Sequence, residues 1–414
     1  MRTVKFLSTL LIILTITGSQ FVTTLASQFI SLEDASQIVT VPYRAFVLLI
    51  ACLLIMFTYK KNVKINKVNN LLWLFWGFII IRFVYDMYFR LDVSVESSRI
   101  NQLWLLMICS TLIPMYAIMK SYQYVDKKWL FYGTYLLSII TAILIINSVE
   151  GYLEADEVEE ERLESNAVMG SIQTGYFGLL VLILSVFSFV RSHKIWMKLL
   201  NAVIIGIGII LLFRSGSRGP IFSVIGITLF YFLSMRRNPI FTLLSTVGFC
   251  LVFVYWDYII LLVSGFAPNL YIRFTGEEVL LGDRLPFYNA AWQSFLKNPF
   301  WGHDFAIYGG GVGGMAYAHN MFLDALMQLG IIGFFILLYI VFKILKLIIH
   351  NFSNGKVLIW LNMFLLMKFF MLQLSSTFYI ESSISIIMMY LFQLQISENS
   401  NKSFYISTNY AREN

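Results

Sequence analysis

The feature that most constrains this chain is a succession of apolar runs, each roughly 14–25 residues long and set apart by short polar breaks, the lengths that suit helices crossing a hydrocarbon core about 30 Å thick. A transmembrane barrel would show strict apolar–polar alternation instead, and none is visible. With 58% of its 414 residues hydrophobic and 13% charged, the chain is too apolar for a soluble globule of its size. It is expected to be an all-α polytopic membrane protein, one integral membrane domain over residues 1–414.

About twelve spans are expected, centred near Leu14, Ile50, Ile80, Met107, Leu137, Val181, Ile207, Ile227, Phe253, Phe334, Phe364 and Met388. The first segment also has the build of a signal peptide: Arg2 and Lys5, an apolar stretch from Phe6 to Ile16, then small residues at Ala26 and Ser27. Apolar character continues to Ile30, which favours an uncleaved helix.

Lysine and arginine in alternate loops set the orientation. Lys60, Lys61, Lys64 and Lys67, then Lys120, Lys127 and Lys128, Arg191, Lys194 and Lys198, Arg236 and Arg237, and Lys343, Lys346 and Lys356 share one side. That side is expected to be cytoplasmic, together with both termini. The opposite loops are acidic, notably "EGYLEADEVEEERLE" from Glu150 to Glu164, which reads as a solvated face. The net charge of +7 then reflects topology, and no nucleic-acid partner is expected. Cys52, Cys109 and Cys250 all fall inside apolar spans and fit neither a disulfide nor a metal site.

Against this pattern "RSGSRGP", residues 214–220, puts Arg214 and Arg218 at an outer-side turn, where the charge rule disfavours them. Pro220 at a first helical position, with Ser217 or Gly219 before it, marks a turn feeding a helix N-terminus. Unpaired N–H groups there and two guanidinium groups suit a phosphate or pyrophosphate. Snorkelling to lipid headgroup phosphates explains the same residues without a substrate.

A long outer loop, roughly residues 265–320, is the largest element outside the apolar runs, and loops beyond about 12–15 residues are often functional. It carries Arg273, Arg284, Lys297, His303 and His319, with helix-like apolar spacing from Arg284 to Leu296. Its "GGGVGG" (Gly309 to Gly314) matches G-x-G-x-x-G, but no β-strand is expected before it and no βαβ unit follows, so a hinge or gating loop is the better reading. In "AHNMFLDALMQLG", Asn320 is placed to cap a helix, and Asp324 lies one turn further on the same face. A helix N-terminus disfavours imidazolium, so His319 is suited to accept a proton; a purely structural capping role is the alternative. A zinc site from His303, Asp304, His319 and Asp324 matches no established ligand spacing, and no metal is expected. Arg82 and Asp86, four residues apart in the third span, are expected to pair with each other, and Lys368 to line a cavity or snorkel.

The "SGSRGP" turn, Arg284, "NPFWG" and "AHNMFLDALMQLGIIG" together resemble the signature of the O-antigen ligase and polymerase family of bacterial envelope glycosyltransferases. His319, ten residues and Gly330 reproduce its H-x10-G spacing. The likeness covers about 205–225 and 282–340, and departs where relatives have glycine, aromatic, glycine and this chain has Gly302, His303, Asp304.

The resemblance implies a GT-C-like helical fold in the bacterial inner membrane, with residues 265–320 carrying part of an active site on the outer face. It implies transfer of a glycan from an undecaprenyl-pyrophosphate-linked oligosaccharide to an acceptor hydroxyl, with no cofactor. Arg218 and Arg284 match the family's pyrophosphate-contacting arginines and His319 its proposed base; Arg214 and Arg273 would add charge, and Asn320 and Asp324 would orient the histidine. Polymerases are the more numerous members, so the expectation is a polymerase of O-antigen or capsular repeat units, with membrane lipids, a chain-length regulator and a flippase as partners. The alternatives are a ligase to lipid A core and a lipid-linked oligosaccharide transporter or flippase. The latter would show paired repeats or charges near mid-membrane.

Overall fold

A computed structural model gives the architecture; it describes the chain apart from residues 27, 30–34, 64–66, 148–169, most of 235–283, 310–313, 354–357 and 414. Eight described helices are long and apolar enough to cross a membrane: α1 (Arg2–Ala26), α2 (Ala35–Phe57), α3 (Lys67–Tyr88), α4 (Ser97–Tyr124), α5 (Lys127–Asn147), α6 (Ser171–Arg191), α7 (Ile195–Arg214) and α10 (Met321–Ser353). Three more are apolar but shorter: α8 (Arg218–Ser234), α11 (Ile359–Leu374) and the first part of α12 (Ser382–Glu413). The span expected near Phe253 and the acidic run Glu150–Glu164 lie outside the described residues.

Two expectations need correcting. The described fold is helical, as the expected all-α class requires, but beside the glycine run β1 (Ile307–Tyr308) and β2 (Met315–Ala316) form a short antiparallel ladder, closed by Gly309 N–H donating to the Gly314 carbonyl at 3.0 Å. A strand does therefore precede the glycine run. It belongs to a hairpin with no crossover helix, so the dinucleotide reading still fails on geometry. Pro220 is the third residue of α8 and not the first; the first turn of a helix has no intrahelical use for its N–H groups, so proline is accommodated there.

Small residues let the helices next to the arginine turn close on one another. Gly178 of α6 meets Gly208 and Leu212 of α7 so closely that an added Cβ would lie 2.8 Å from the Leu212 nitrogen. One turn away, a Cβ on Gly175 would lie 2.6 Å from Ser215 Oγ and 2.7 Å from Pro220. The arginine turn is thereby pressed onto α6. Chain reversal there uses Gly216 at φ +60°, the left-handed residue that ends α7.

The long α10 is broken at Gly330, which has φ +64° and ψ −161°. The break makes room for the "NPFWG" segment. Ile331 N–H donates to the Pro299 carbonyl at 2.8 Å, and His303 N–H donates to the Met327 carbonyl at 2.9 Å. Gly302, at φ +75°, faces the backbone of Gln328, where a Cβ would sit 2.3 Å from the carbonyl carbon, and a Cβ on Gly330 would sit 2.4 Å from that of Phe300. Two backbones thus cross with glycine on each side, the physical meaning of the Gly330 that closes the His319 motif.

Gly330→Ala therefore combines a positive-φ, extended-ψ conformation that is essentially confined to glycine with a backbone clash. Thermal melting of the detergent-purified protein should fall well below that of Gly206→Ala, whose Cβ meets nothing within 4 Å. Equal melting of the two variants would show that the interlock is not needed.

Candidate active site

The described part of the outer loop begins with Arg284 at the N-cap position of α9 (Leu285–Lys297) and ends at Asn320, which caps α10. Asn320 Oδ1 accepts from the N–H groups of Phe322 at 3.0 Å and Leu323 at 3.1 Å. Asp324 is buried, and one carboxylate oxygen accepts from the Ala318 N–H at 2.9 Å, tying the residue before His319 to the first turn of α10. The other makes no hydrogen bond among the described residues.

Held by these two anchors, His319 adopts φ +54°, the one left-handed residue other than glycine in the described chain. Such strain costs about 1–3 kcal/mol and gathers at functional sites. Its ring lies 4.4 Å from that of Tyr317 and 5.6 Å, edge to face, from that of Phe287 on α9. Burial, then the nearby charge of Arg284, holds the imidazole below the ordinary histidine range, with the Ser375 backbone carbonyl pulling the other way. His319 is thus neutral near pH 7, and its Nδ1 is buried without a hydrogen bond among the described residues.

Arg218 comes to the same place from α8. Beside it Gly219 packs against Tyr176 and Ser375, at distances that leave a Cβ 3.1 Å from the tyrosine hydroxyl and 3.3 Å from Ser375 Oγ. Ser223, one turn on, donates to the Tyr176 hydroxyl at 3.3 Å. Arg284 is close enough for its charge to act on both Tyr176 and His319. His319 and Gly219, the residue after Arg218, therefore both meet Ser375, and Arg284 lies close enough for its charge to act on His319. Arg214 is exposed on the last turn of α7, and Arg273 lies outside the described residues.

The zinc quartet is not assembled. His303 Nδ1 lies 2.8 Å from Asp304 Oδ1, and Asp304 is also held by Arg90. Burial works to raise the Asp304 carboxyl, but hydrogen bonds from Arg90, Ser294 and His303 outweigh it and hold it below the usual carboxylate range. Among the described residues no three His, Cys, Asp or Glu side chains gather as ligands.

Arg82 and Asp86 pair as expected, Nη1 to Oδ1 at 3.7 Å, but each also holds partners the sequence did not signal. Arg82 donates to the carbonyls of Trp301 at 2.7 Å, Gly302 at 2.8 Å, Gln328 at 3.0 Å and His303 at 3.2 Å. Asp86, fully buried, accepts from Phe305 N–H and the Tyr308 hydroxyl, each at 2.6 Å, with Arg90 at 3.6 Å. Burial and the Asp86 charge push the Tyr308 phenol up, so it stays a donor. Phe305 is wedged between Phe83 at 4.9 Å and Tyr379 at 4.7 Å. Nothing local in the sequence signals these bonds, which join α3 to a loop more than two hundred residues away. Lys368 lines a cavity, as one of its two readings had it, and pairs with Glu381 at 2.8 Å.

The fold and site define a helical membrane protein with an arginine and histidine cluster where its helices end. Residues 202–338, about a third of the chain, match the family model described as O-antigen ligase. The match bears out the resemblance to the O-antigen ligase and polymerase family, a glycosyltransferase-like class acting on lipid-linked oligosaccharides, over the segment that holds Arg218, Arg284 and His319. It does not separate polymerase from ligase. No curated protein matches the chain.

Asp86→Ala would leave Phe305, Tyr308, Arg82 and Arg90 facing an empty buried position. Removing one partner of a buried charge pair typically costs about 3–5 kcal/mol. Amide hydrogen exchange across residues 299–308 should rise strongly in this variant, while exchange in α6 and α7 stays near wild type. An unchanged loop would show that Asp86 does not hold it.

Proposed function

We propose that the protein transfers a glycan from a polyprenyl-pyrophosphate carrier to an acceptor hydroxyl on the outer face of the bacterial inner membrane, with both termini cytoplasmic. The observation that supports this reading is a neutral His319 under the charge of Arg284, at the Ser375 bend that also meets Gly219, the residue after Arg218. The acceptor oxygen attacks the anomeric carbon, the bond from that carbon to the phosphate oxygen breaks, and the pyrophosphate leaves with the bonding electrons. His319 takes the hydroxyl proton, while Arg218 and Arg284 receive the charge gathering on the leaving group. These contacts strengthen as the bond breaks, so they raise the rate and not affinity alone. The scheme uses neither nucleotide nor metal; Arg214 and Arg273 would extend the positive surface, and Asn320 and Asp324 position the histidine.

His319→Ala should lower turnover by about 10²–10⁴-fold, the usual worth of general-base catalysis, with the carrier still bound. In the wild type the basic form of His319 persists below the ordinary histidine range of about 6.5, so kcat/KM should hold steady down to pH 6.5 and fall only below it. Near-normal turnover in the variant, or an acid limb centred well above 6.5, would remove His319 as the base.

We infer that the acceptor is a second carrier-linked repeat unit, which makes the enzyme a polymerase. The family match supports the second reading, a ligase, equally. A deletion strain separates them. Loss of a polymerase leaves a surface glycan one repeat long, the expected result; loss of a ligase strands full-length polymer on the carrier and leaves the acceptor bare.

A further inference from the structure

Outside the residues just assigned, a partly open cavity of about 300 Å³ lies between α1, α2, α4, α6, α11 and the start of α12. Three departures from regular helix meet in its wall. α1 carries a π-helical stretch, Leu14–Gly18, that contributes Thr15, and α4 carries another, Leu105–Leu112, that contributes Ser110. Between α11 and α12, residues 375–381 leave helical geometry and present Glu381. Such π stretches frequently mark functional sites. Irregular backbone among membrane spans is tolerated where protein buries it or a water-filled cavity is lined by it.

The charges of the lining do not cancel. Lys368 Nζ lies 2.8 Å from Glu381 Oε2, and the Ser376 hydroxyl donates to Oε1 at 3.2 Å, so this pair is neutral overall. Arg44 of α2 lines the same space and makes no hydrogen bond or ion pair among the described residues. Its neighbour Tyr43 is engaged, its hydroxyl donating to the Leu14 carbonyl at 2.7 Å. A guanidinium held between spans is costly, and with no anion beside it among the described residues it points to a ligand that supplies one. Around it Gln20, Gln173 and Ser382 offer neutral donors and acceptors, the groups that recognise ring hydroxyls. Tyr176 also lines it, and its hydroxyl meets Ser223, which bonds the Gly219 carbonyl, so the cavity adjoins the turn assigned to the pyrophosphate.

We propose that this cavity is a sugar subsite that takes one ring bearing a carboxylate, with Arg44 on the carboxylate and the Lys368–Glu381 pair and the two glutamines on the hydroxyls. It rests on the transferase reading for its place beside the reacting bond. Ligand sites run from about 300 to 1,000 Å³, and a cavity at the low end has room for a single ring. The enzyme would then require an acidic sugar next to the bond it makes, a requirement set by residues outside the matched segment 202–338.

Saturation-transfer NMR on the purified protein in nanodiscs tests this, with glucuronate, glucose, glucuronamide and pyrophosphate as probes. Glucuronate should give a signal several-fold above glucose and above glucuronamide, its uncharged counterpart. Arg44→Gln should bring it down to the glucose level, and excess pyrophosphate should not displace it. The comparison with glucuronamide needs no variant, so it decides the matter even where Arg44→Gln fails to fold. Equal signals for the three sugars, or an undiminished glucuronate signal in folded Arg44→Gln, would overturn the subsite. Displacement by pyrophosphate would also overturn it, by placing Arg44 in the carrier site. Because binding is read without turnover, His319→Ala should retain the glucuronate signal; a protein with no transferase activity that still selects glucuronate through Arg44 would sink the transferase reading and keep the subsite.

Discussion

The Arg82 guanidinium is the interaction on which the rest of the site depends. It gathers four carbonyls, three from the Trp301–His303 turn and one from Gln328 beside the α10 break. Arginine is suited to this because its donors are fixed in a plane and stay charged. With Asp86 holding Phe305 and Tyr308 on the next turn of α3, the loop becomes part of the bundle. His319 lies between this fastened loop and the capped start of α10, so its strained backbone is set by contacts made well away from the reaction.

Much of the fold was legible because membrane spans announce themselves by length and composition, and every expected span centre within the described residues falls on a helix. The arginine turn and the Asn320 cap were legible for a local reason: glycine, proline and asparagine act within a few residues of themselves. The pairing of Arg82 with Asp86 was legible too, but their loop partners were not, since the four-residue spacing satisfies an intrahelical pair as well as a clamp on a distant loop. The break at 375–381 falls between the spans expected near Phe364 and Met388, but what its side chains meet was equally hidden. Only packing shows that Ser375 turns toward His319 while Glu381 turns toward Lys368.

Glycosyl transfer from a pyrophosphate needs cations that are rigid before the bond breaks and a base that is neutral before the acceptor arrives. Here one group serves both needs, since the Arg284 charge that would receive the leaving group also helps to keep His319 unprotonated. Separating them would weaken each. The apolar walls give such charges more reach than water would, and glycines at 175 and 219 let the backbone close around them.

The central claim is that Arg218 and Arg284 hold a pyrophosphate. The most direct measurement is native mass spectrometry of the protein with equimolar polyprenyl pyrophosphate and polyprenyl monophosphate, since the two lipids differ only in the group the arginines are said to grip. The wild type should retain the pyrophosphate lipid preferentially, and the Arg218→Gln, Arg284→Gln double variant should bind both alike. A preference that survives in the double variant would contradict the account and leave the two arginines as anchors to bulk lipid.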